Sequence, residues 1–478
     1  MNYGMILHML GWICYFEAVF MMLPVLVALI YRESAGYAYL GVMALCAVIG
    51  FLATRRKVRN RKIYGRDGLV IVALGWIVLS IFGALPFVIS GDIPSFVDAL
   101  FETISGFTTT GSSILSNVEA LSHANLFWRS FTHWIGGMGV LVFILAILPM
   151  TGGAGMHIMR AESPGPSVSK LVPKIRTTAM ILYGIYLFMT VVQIFLMLLA
   201  GTPLFDAITL SFGSAGTGGF AVKNDGLASY TNLQQAIVTV AMILFGINFN
   251  VYYLLFRKKW KQAFTCTEML VYLGIIAASV LAITVSVRPM FPSLYQAFHH
   301  TAFQVGSIIT TTGYSTVDFN AWPPMARTIL VLIMFVGACA GSTGGGIKVS
   351  RLVILLKGVY KEILMACHPR SVKKVQMDGH ALSHEVVRSV NSFVVIYAVI
   401  FVVSLLVITL DGKDLVTNFT AVAATINNIG PGLNVVGPTG NFGSFSALSK
   451  LVLMFDMLAG RLELLPMLVL FVPSTWRK

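Results

Sequence analysis

Thr108-Thr109-Thr110-Gly111 lies between two long apolar stretches, and three further segments share its form: Ala215-Gly216-Thr217-Gly218, Thr310-Thr311-Thr312-Gly313 and Asn427-Asn428-Ile429-Gly430. They recur roughly every hundred residues along the chain. A polar, glycine-bearing loop at membrane depth is tolerated only where it is buried in protein or lines water. One such loop cannot satisfy its own backbone, so four in matching positions predict closure around a common axis. Rings of loop carbonyls and hydroxyls replace the water shell of a monovalent cation. The loops therefore predict an ion-conducting pore folded from one chain. The competing reading, ordinary Thr/Gly turns, accounts for one loop better than for four in register.

Composition sets the environment. Of the 478 residues, 57% are hydrophobic and only 11% charged, against about 25% charged in soluble domains. The apolar runs are about 20 residues long, which suits spanning helices rather than short alternating barrel strands. No run combines a short apolar core with a small-residue cleavage site, so the first span is expected to be retained. Ten full spans are expected, at 5–30, 38–54, 68–90, 127–149, 178–200, 234–256, 268–287, 326–356, 389–410 and 447–472. Four shorter apolar segments, near 95–107, 203–214, 294–309 and 415–426, suit half-helices that enter the membrane and turn back. The expected fold is all-α and membrane-integral: four tandem helix–pore loop–helix repeats around a pseudo-four-fold pore, plus two extra N-terminal spans. The boundaries read as 1–66 for the N-terminal addition, then 67–177, 178–263, 264–388 and 389–478 for the repeats.

The net charge of +14 is a topological bias. Basic loops at 55–62, around Arg160, Lys170, Lys174 and Arg176, at 257–261, and from Lys357 to Lys374 fall on one side, with Arg477 and Lys478. The excess of Lys and Arg marks the cytoplasmic side. Both termini are then cytoplasmic and the four loops face outward. These loops are short and scattered, which argues against nucleic acid as a partner and for the lipid bilayer or a docked cytosolic protein. The five cysteines show no metal spacing. His299-His300 reads as packing and hydrogen bonding. No HExxH, Ser/His pair or paired carboxylate marks an enzyme. Asp98 and Asp206 look like matched features of helix entry rather than a catalytic pair.

The candidate ion ligands are Thr109, Thr110 and Gly111; Thr217 and Gly218; Thr311, Thr312 and Gly313; and Asn428, Ile429 and Gly430. Hydroxyl and carbonyl oxygens suit hard cations. Each half-helix would aim a C-terminus, with up to about half a negative charge, at the centre. Gly341, Ser342, Thr343, Gly344, Gly345, Gly346 and Lys348 interrupt the eighth span. Glycine costs about 1 kcal/mol against alanine within a helix, so this segment predicts a flexible loop below the ring that blocks the pore. Lys348 would add electrostatic repulsion. A plain cytoplasmic loop is the competing reading. A nucleotide P-loop is not, because Ile347 separates Gly346 from Lys348 and no Ser or Thr follows. Arg461 within the tenth span is costly against lipid and is expected to face the pore interior. A pair with Glu463 or a snorkelling position at the helix end is the alternative.

Several motifs together resemble the Trk/Ktr/HKT superfamily of potassium transporters, most closely its bacterial TrkH/TrkG branch. They are Phe107-Thr108-Thr109-Thr110-Gly111, Trp134-Ile135-Gly136-Gly137-Met138-Gly139, Arg160-Ala161-Glu162-Ser163-Pro164-Gly165-Pro166, the run from Cys339 to Lys348, Asn427-Asn428-Ile429-Gly430-Pro431-Gly432 and Gly460-Arg461-Leu462-Glu463. The resemblance implies Gly111, Gly218, Gly313 and Gly430 as filter glycines. It also implies an intramembrane gating loop at 337–348 with Arg461 beside it. Serine at the first filter position goes with sodium in the plant branch, so Gly111 implies potassium as the transported ion. The second loop departs most from the shared form. The resemblance further implies a bacterial inner-membrane location, a homodimer and a cytosolic nucleotide-binding ring of TrkA-type subunits, with no organic cofactor in this chain. Loops 151–177 and 357–388 are the docking candidates. Passage down the membrane potential is expected. A carrier coupled to H+ or Na+ is the alternative, with Glu17, Asp456 and Glu463 as isolated acidic candidates.

Overall fold

The computed structural model describes residues 1–55, 64–139, 175–369 and 373–476. The expected basic stretch at 56–62, most of the 151–177 loop, the second half of the 127–149 span, Arg370 and the last two residues lie outside these. Among the described residues, six helices are long and apolar enough to cross a membrane: Tyr3–Tyr31, Ala35–Thr54, Gly65–Ser90, Ala179–Leu199, Thr267–Met290 and His384–Asp411. Their outward faces carry exposed apolar side chains, as at Ile30, Phe188, Val285 and Leu406. Such surface belongs against lipid rather than water. Tyr3–Tyr31 packs on Ala35–Thr54 through Gly11 and Gly50, where small residues let the two backbones approach closely.

Four short helices stand inside this wall: Phe96–Phe107, Leu204–Gly216, Leu294–Ile309 and Leu415–Ile426. At about 1.5 Å per residue none spans about 30 Å of hydrocarbon. Three begin on a side-chain cap, in which Ser95, Ser293 and Asp414 accept from the N–H of Asp98, Gln296 and Thr417. The second begins at Pro203, whose fixed φ suits a helix start. These are the expected half-helices.

The ten-span expectation needs correction. Four of the ten expected spans are not continuous. Each helix that leaves a loop stops short: His123–Gly137, Asn232–Phe245, Pro324–Val336 and Ala447–Arg461. Only the third break was expected. The second helix turns by 89° into Phe249–Phe256. The third gives way to irregular chain before Val349–Cys367. The fourth breaks at Leu462 to Leu464, where Glu463 and Leu464 take left-handed φ of 64° and 66°. For the first and fourth, the cause is packing. A Cβ on Gly136 would collide with the carbonyl oxygen of Phe107, and one on Gly460 with that of Ile426. The last turn of these two outgoing helices therefore lies against the last turn of a half-helix.

This contact predicts opposite outcomes for two Gly→Ala substitutions. Gly136→Ala should lower the midpoint of thermal unfolding in detergent, since overpacking a tight contact costs about 1–3 kcal/mol. Gly184→Ala, at a position with nothing within 4 Å of its Cβ, should leave that midpoint unchanged or raise it. Equal destabilisation by both would remove close helix contact as the cause of the break.

Candidate functional site

The four half-helices end on four loops with one backbone conformation. Thr109, Thr217, Thr311 and Asn428 all take left-handed φ, at 55°, 55°, 60° and 55°. Two residues later Gly111, Gly219, Gly313 and Gly430 take φ of 80°, 79°, 88° and 99°. Between them, the N–H groups of Thr110, Gly218, Thr312 and Ile429 each donate at 2.8 Å to a carbonyl of the preceding helix. A left-handed conformation is costly for an L-residue other than at isolated sites. Its recurrence at four matched threonine or asparagine positions is a built feature.

The loops meet in a closed cycle. A Cβ on Gly111 would collide with the carbonyl oxygen of Gly218, one on Gly219 with that of Thr312, and one on Gly313 with that of Ile429. One on Gly430 would come within 2.9 Å of the Thr110 carbonyl oxygen. Each glycine thus makes room for the carbonyl of the next loop around the axis. The glycine that plays this part in the second loop is Gly219. Gly218, expected there from sequence, holds instead the position of Thr110, Thr312 and Ile429, and packs against the His133 ring.

Side chains complete the ring unequally. The hydroxyls of Thr108 and Thr110 pair at 2.8 Å, and those of Thr310 and Thr312 at 2.7 Å. Asn428 donates to the Thr110 hydroxyl and to the Met457 carbonyl, both at 2.9 Å. The second loop has glycine at the pairing positions. Around the outside, the N–H of Val118 donates to Asn224, that of Leu227 to the Ser315 carbonyl, that of Asn434 to Asn320, and that of Phe442 to the Ser113 carbonyl. This second cycle surrounds a cavity of about 140 Å³ that reaches Gly111, Gly219, Gly313 and Gly430.

A buried polar shell supports the first two loops. Glu102 and Arg129 form an ion pair at 2.7 Å. Glu102 also accepts from the Ser113 hydroxyl and the Ile114 N–H. Arg129 lies 4.0 Å from the centre of the Phe220 ring. His133 Nδ1 is 2.7 Å from the Gly106 carbonyl, and its Nε2 accepts from the Phe220 N–H. That arrangement places the proton on Nδ1. None of these three residues was singled out from sequence. The available signal was charge inside an apolar span, since such residues are rare unless paired or functional.

Beneath the ring, the segment from Gly337 to Lys348 is irregular, with left-handed φ at Gly337, Gly341, Gly346 and Lys348. It touches the ring directly. The Gly345 N–H donates to the Thr311 hydroxyl at 2.6 Å. A Cβ on Gly345 would collide with the Asn427 carbonyl, and one on Gly344 would lie 2.9 Å from that of Thr310. The Thr343 hydroxyl donates to the Phe245 carbonyl, and the Ser342 hydroxyl to that of Cys339. Lys348 is buried and its ammonium donates to the Gly344 carbonyl. Arg461 donates to the carbonyls of Gly136 and Gly137 and, at 2.8 Å, to that of Thr343. Glu463 pairs with Arg351. Among the described residues, no group of three or more His, Cys, Asp or Glu stands ready to hold a metal. The concentrated oxygen is that of the loops.

Residues 38–287 and 267–478 match the TrkH family, described as a cation transport protein. The Trk system potassium uptake protein TrkH of Salmonella typhimurium is 36% identical over 486 residues, covering 100% of both chains. The potassium uptake protein TrkG of Escherichia coli is 34% identical over 478 residues, covering 98% of each. The crystal structure of the potassium transporter TrkH from Vibrio parahaemolyticus superposes with a TM-score of 0.89 at 34% identity over 100% of both chains. These relatives are transport proteins rather than enzymes. With its apolar spans and its four-loop ring, the chain belongs to the TrkH family of multi-pass membrane cation transport proteins.

Proposed function

We propose that this chain is the potassium-conducting subunit of a Trk uptake system, that the four-loop ring is its selectivity filter, and that residues 337–348 are its gate. The observation that carries the reading is the closed cycle of loop carbonyls and left-handed glycines. Four helix C-termini, each with up to about half a negative charge, converge on it. Oxygen-lined rings of this kind replace the water shell of a cation. With a single left-handed glycine per loop the filter is short, so it holds few ions and discriminates modestly against sodium and rubidium. The gate reading is supported by the contact of Gly344 and Gly345 with the third and fourth loops. The cation passes inward down the membrane potential, gaining about 2.3 kcal/mol per charge for each 100 mV.

On the same reading, the pore is built of four repeats with bounds 67–177, 178–263, 264–388 and 389–478, after an N-terminal addition at 1–66. The basic loops and both termini face the cytoplasm of a bacterial cell, across its inner membrane. A second copy of the chain and a cytosolic nucleotide-binding ring of the TrkA type are the partners. The support here is the family resemblance and the clustering of Lys357, Lys361, Lys373 and Lys374. A carrier coupled to H+ or Na+ is the second reading. One observation favours it: Glu17 and Asp456 are fully buried, and carboxyl oxygens on both lack a hydrogen-bond partner. Flux measured against an imposed proton gradient separates the two readings.

Proteoliposomes holding this chain, under an imposed potential, should take up potassium in preference to sodium. Gly219→Ser and Gly313→Ser should each reduce that preference by about tenfold, because each disturbs one edge of the ring by more than about 1.4 kcal/mol. Gly219→Ser with unaltered selectivity would show that the ring is not the filter. Deletion of 342–346 should raise potassium flux through the unliganded protein. Flux that stays at the background rate in both the unaltered chain and the deletion would remove the autonomous pore.

A further inference from the structure

Between Val349–Cys367 and His384–Ile408 the chain forms a small antiparallel hairpin, with Gln376 paired to Ala381 and Met377 to His380. Its turn is Asp378-Gly379, at left-handed φ of 50° and 79°. Hairpins with a two-residue turn favour such a pair. Val375, Met377 and Leu382 seat it against Ile354 and Val390, and Lys357 donates to the Gln376 carbonyl at 2.9 Å. The turn reaches a different helix. Asp378 Oδ1 accepts from the Thr267 N–H at 2.8 Å, which satisfies one of the open N–H groups at the start of Thr267–Val287.

The next residue, Glu268, is buried and holds both ends of the irregular segment. Its Oε1 accepts from the Ala340 N–H at 2.6 Å and from the Ser350 N–H at 3.1 Å. Its Oε2 accepts from the Asn248 side chain at 3.4 Å. The same region is bracketed by the break in the second outgoing helix: the Cys339 N–H donates to the Gly246 carbonyl, and the Phe249 N–H to that of Gly341, both at 3.0 Å. A segment this rich in glycine has little conformational preference of its own. Its place under the ring is therefore set by what grips its ends.

We infer that Asp378 and Glu268 form a two-step latch that holds residues 337–348 closed beneath the ring, and that the hairpin is the handle through which the latch is released. The inference rests on the reading of 337–348 as a gate. Glu268 grips the entry and the exit of the segment with one carboxyl oxygen. Asp378 fixes the backbone one residue before Glu268. Lifting the hairpin removes the Asp378 bond, frays the first turn of Thr267–Val287 and moves the Glu268 carboxyl away from Ala340 and Ser350. Both are positioning residues, since neither reaches the ring.

Cys339 reports the latch. It is buried beside Ala340, and in the reporter protein the other cysteines, Cys14, Cys46, Cys266 and Cys367, are changed to alanine. The measurement is the reaction rate of Cys339 with a small maleimide in proteoliposomes, with potassium and sodium flux recorded on the same preparations. Asp378→Ala should raise the Cys339 rate about tenfold, as expected for loss of a hydrogen bond to a carboxylate. Potassium flux should rise with it, and the potassium-to-sodium ratio should not change. Asp378→Asn keeps the acceptor oxygen and should stay near the starting rate. Glu268→Ala should act like Asp378→Ala, and Glu268→Gln, which keeps Oε1, should not. Folded Asp378→Ala and Glu268→Ala proteins that both react at the unaltered rate would overturn the latch. If deletion of 342–346 raises flux while these variants leave Cys339 protected, the latch alone falls. If the deletion leaves flux unchanged, the gate reading falls and the latch with it.

Discussion

A peptide group at membrane depth has no water to turn to, and each one left unpaired costs several kcal/mol. The centre of this molecule answers that constraint four times over. Each half-helix ends inside the wall of apolar helices, and its loop uses one left-handed residue and one left-handed glycine to turn back. No loop closes on itself. The glycine of each accommodates the carbonyl of the next, and further hydrogen bonds join the outer part of each loop to its neighbours. Stability of the ring is thus a property of all four loops together. The long apolar helices around it supply the wall that keeps lipid out.

The same constraint explains the short outgoing helices. A half-helix of 12 residues such as Phe96–Phe107 stops where its last carbonyl meets the outgoing helix at Gly136. Close approach of this kind ends the outgoing helix as well, and its open carbonyls then need donors. Gly136 and Gly137 find theirs in Arg461, which comes from the far end of the chain. The third outgoing helix finds its continuation in the glycine-rich segment from Gly337 to Lys348. Close packing of this kind accounts for the first and fourth breaks and for the demand for a cation at the first.

Much of this was legible in the sequence, for identifiable reasons. Apolar runs of membrane length declare themselves, and so do four Thr/Gly segments in matched positions. The register of the second loop did not. With Gly218 and Gly219 adjacent, composition cannot say which takes the left-handed conformation; the contact of Gly218 with His133 decides it. The breaks near Gly137, Gly246 and Leu462 were also hidden, because the flanking sequence stays apolar and helix-forming. They come from contacts between residues far apart in the chain. For the same reason the grip of Glu268 on Ala340 and Ser350 left no local signature.

Arg461 shows why position alone does not define a role. A lone positive charge in the proposed cation pathway reads as a barrier, and on that reading its charge opposes an ion below the ring. Yet the guanidinium is also the donor that satisfies the broken end of the first outgoing helix, and it holds Thr343 of the irregular segment at 2.8 Å. A planar fork of five donors can serve several carbonyls at once, which a lysine ammonium cannot match in geometry. Opening the segment on the proposed reading must therefore break the Thr343 bond while leaving those to Gly136 and Gly137 intact. The arginine then stays anchored to the scaffold as the loop leaves. Two of its carbonyl partners belong to the end of the first outgoing helix and one to the irregular segment.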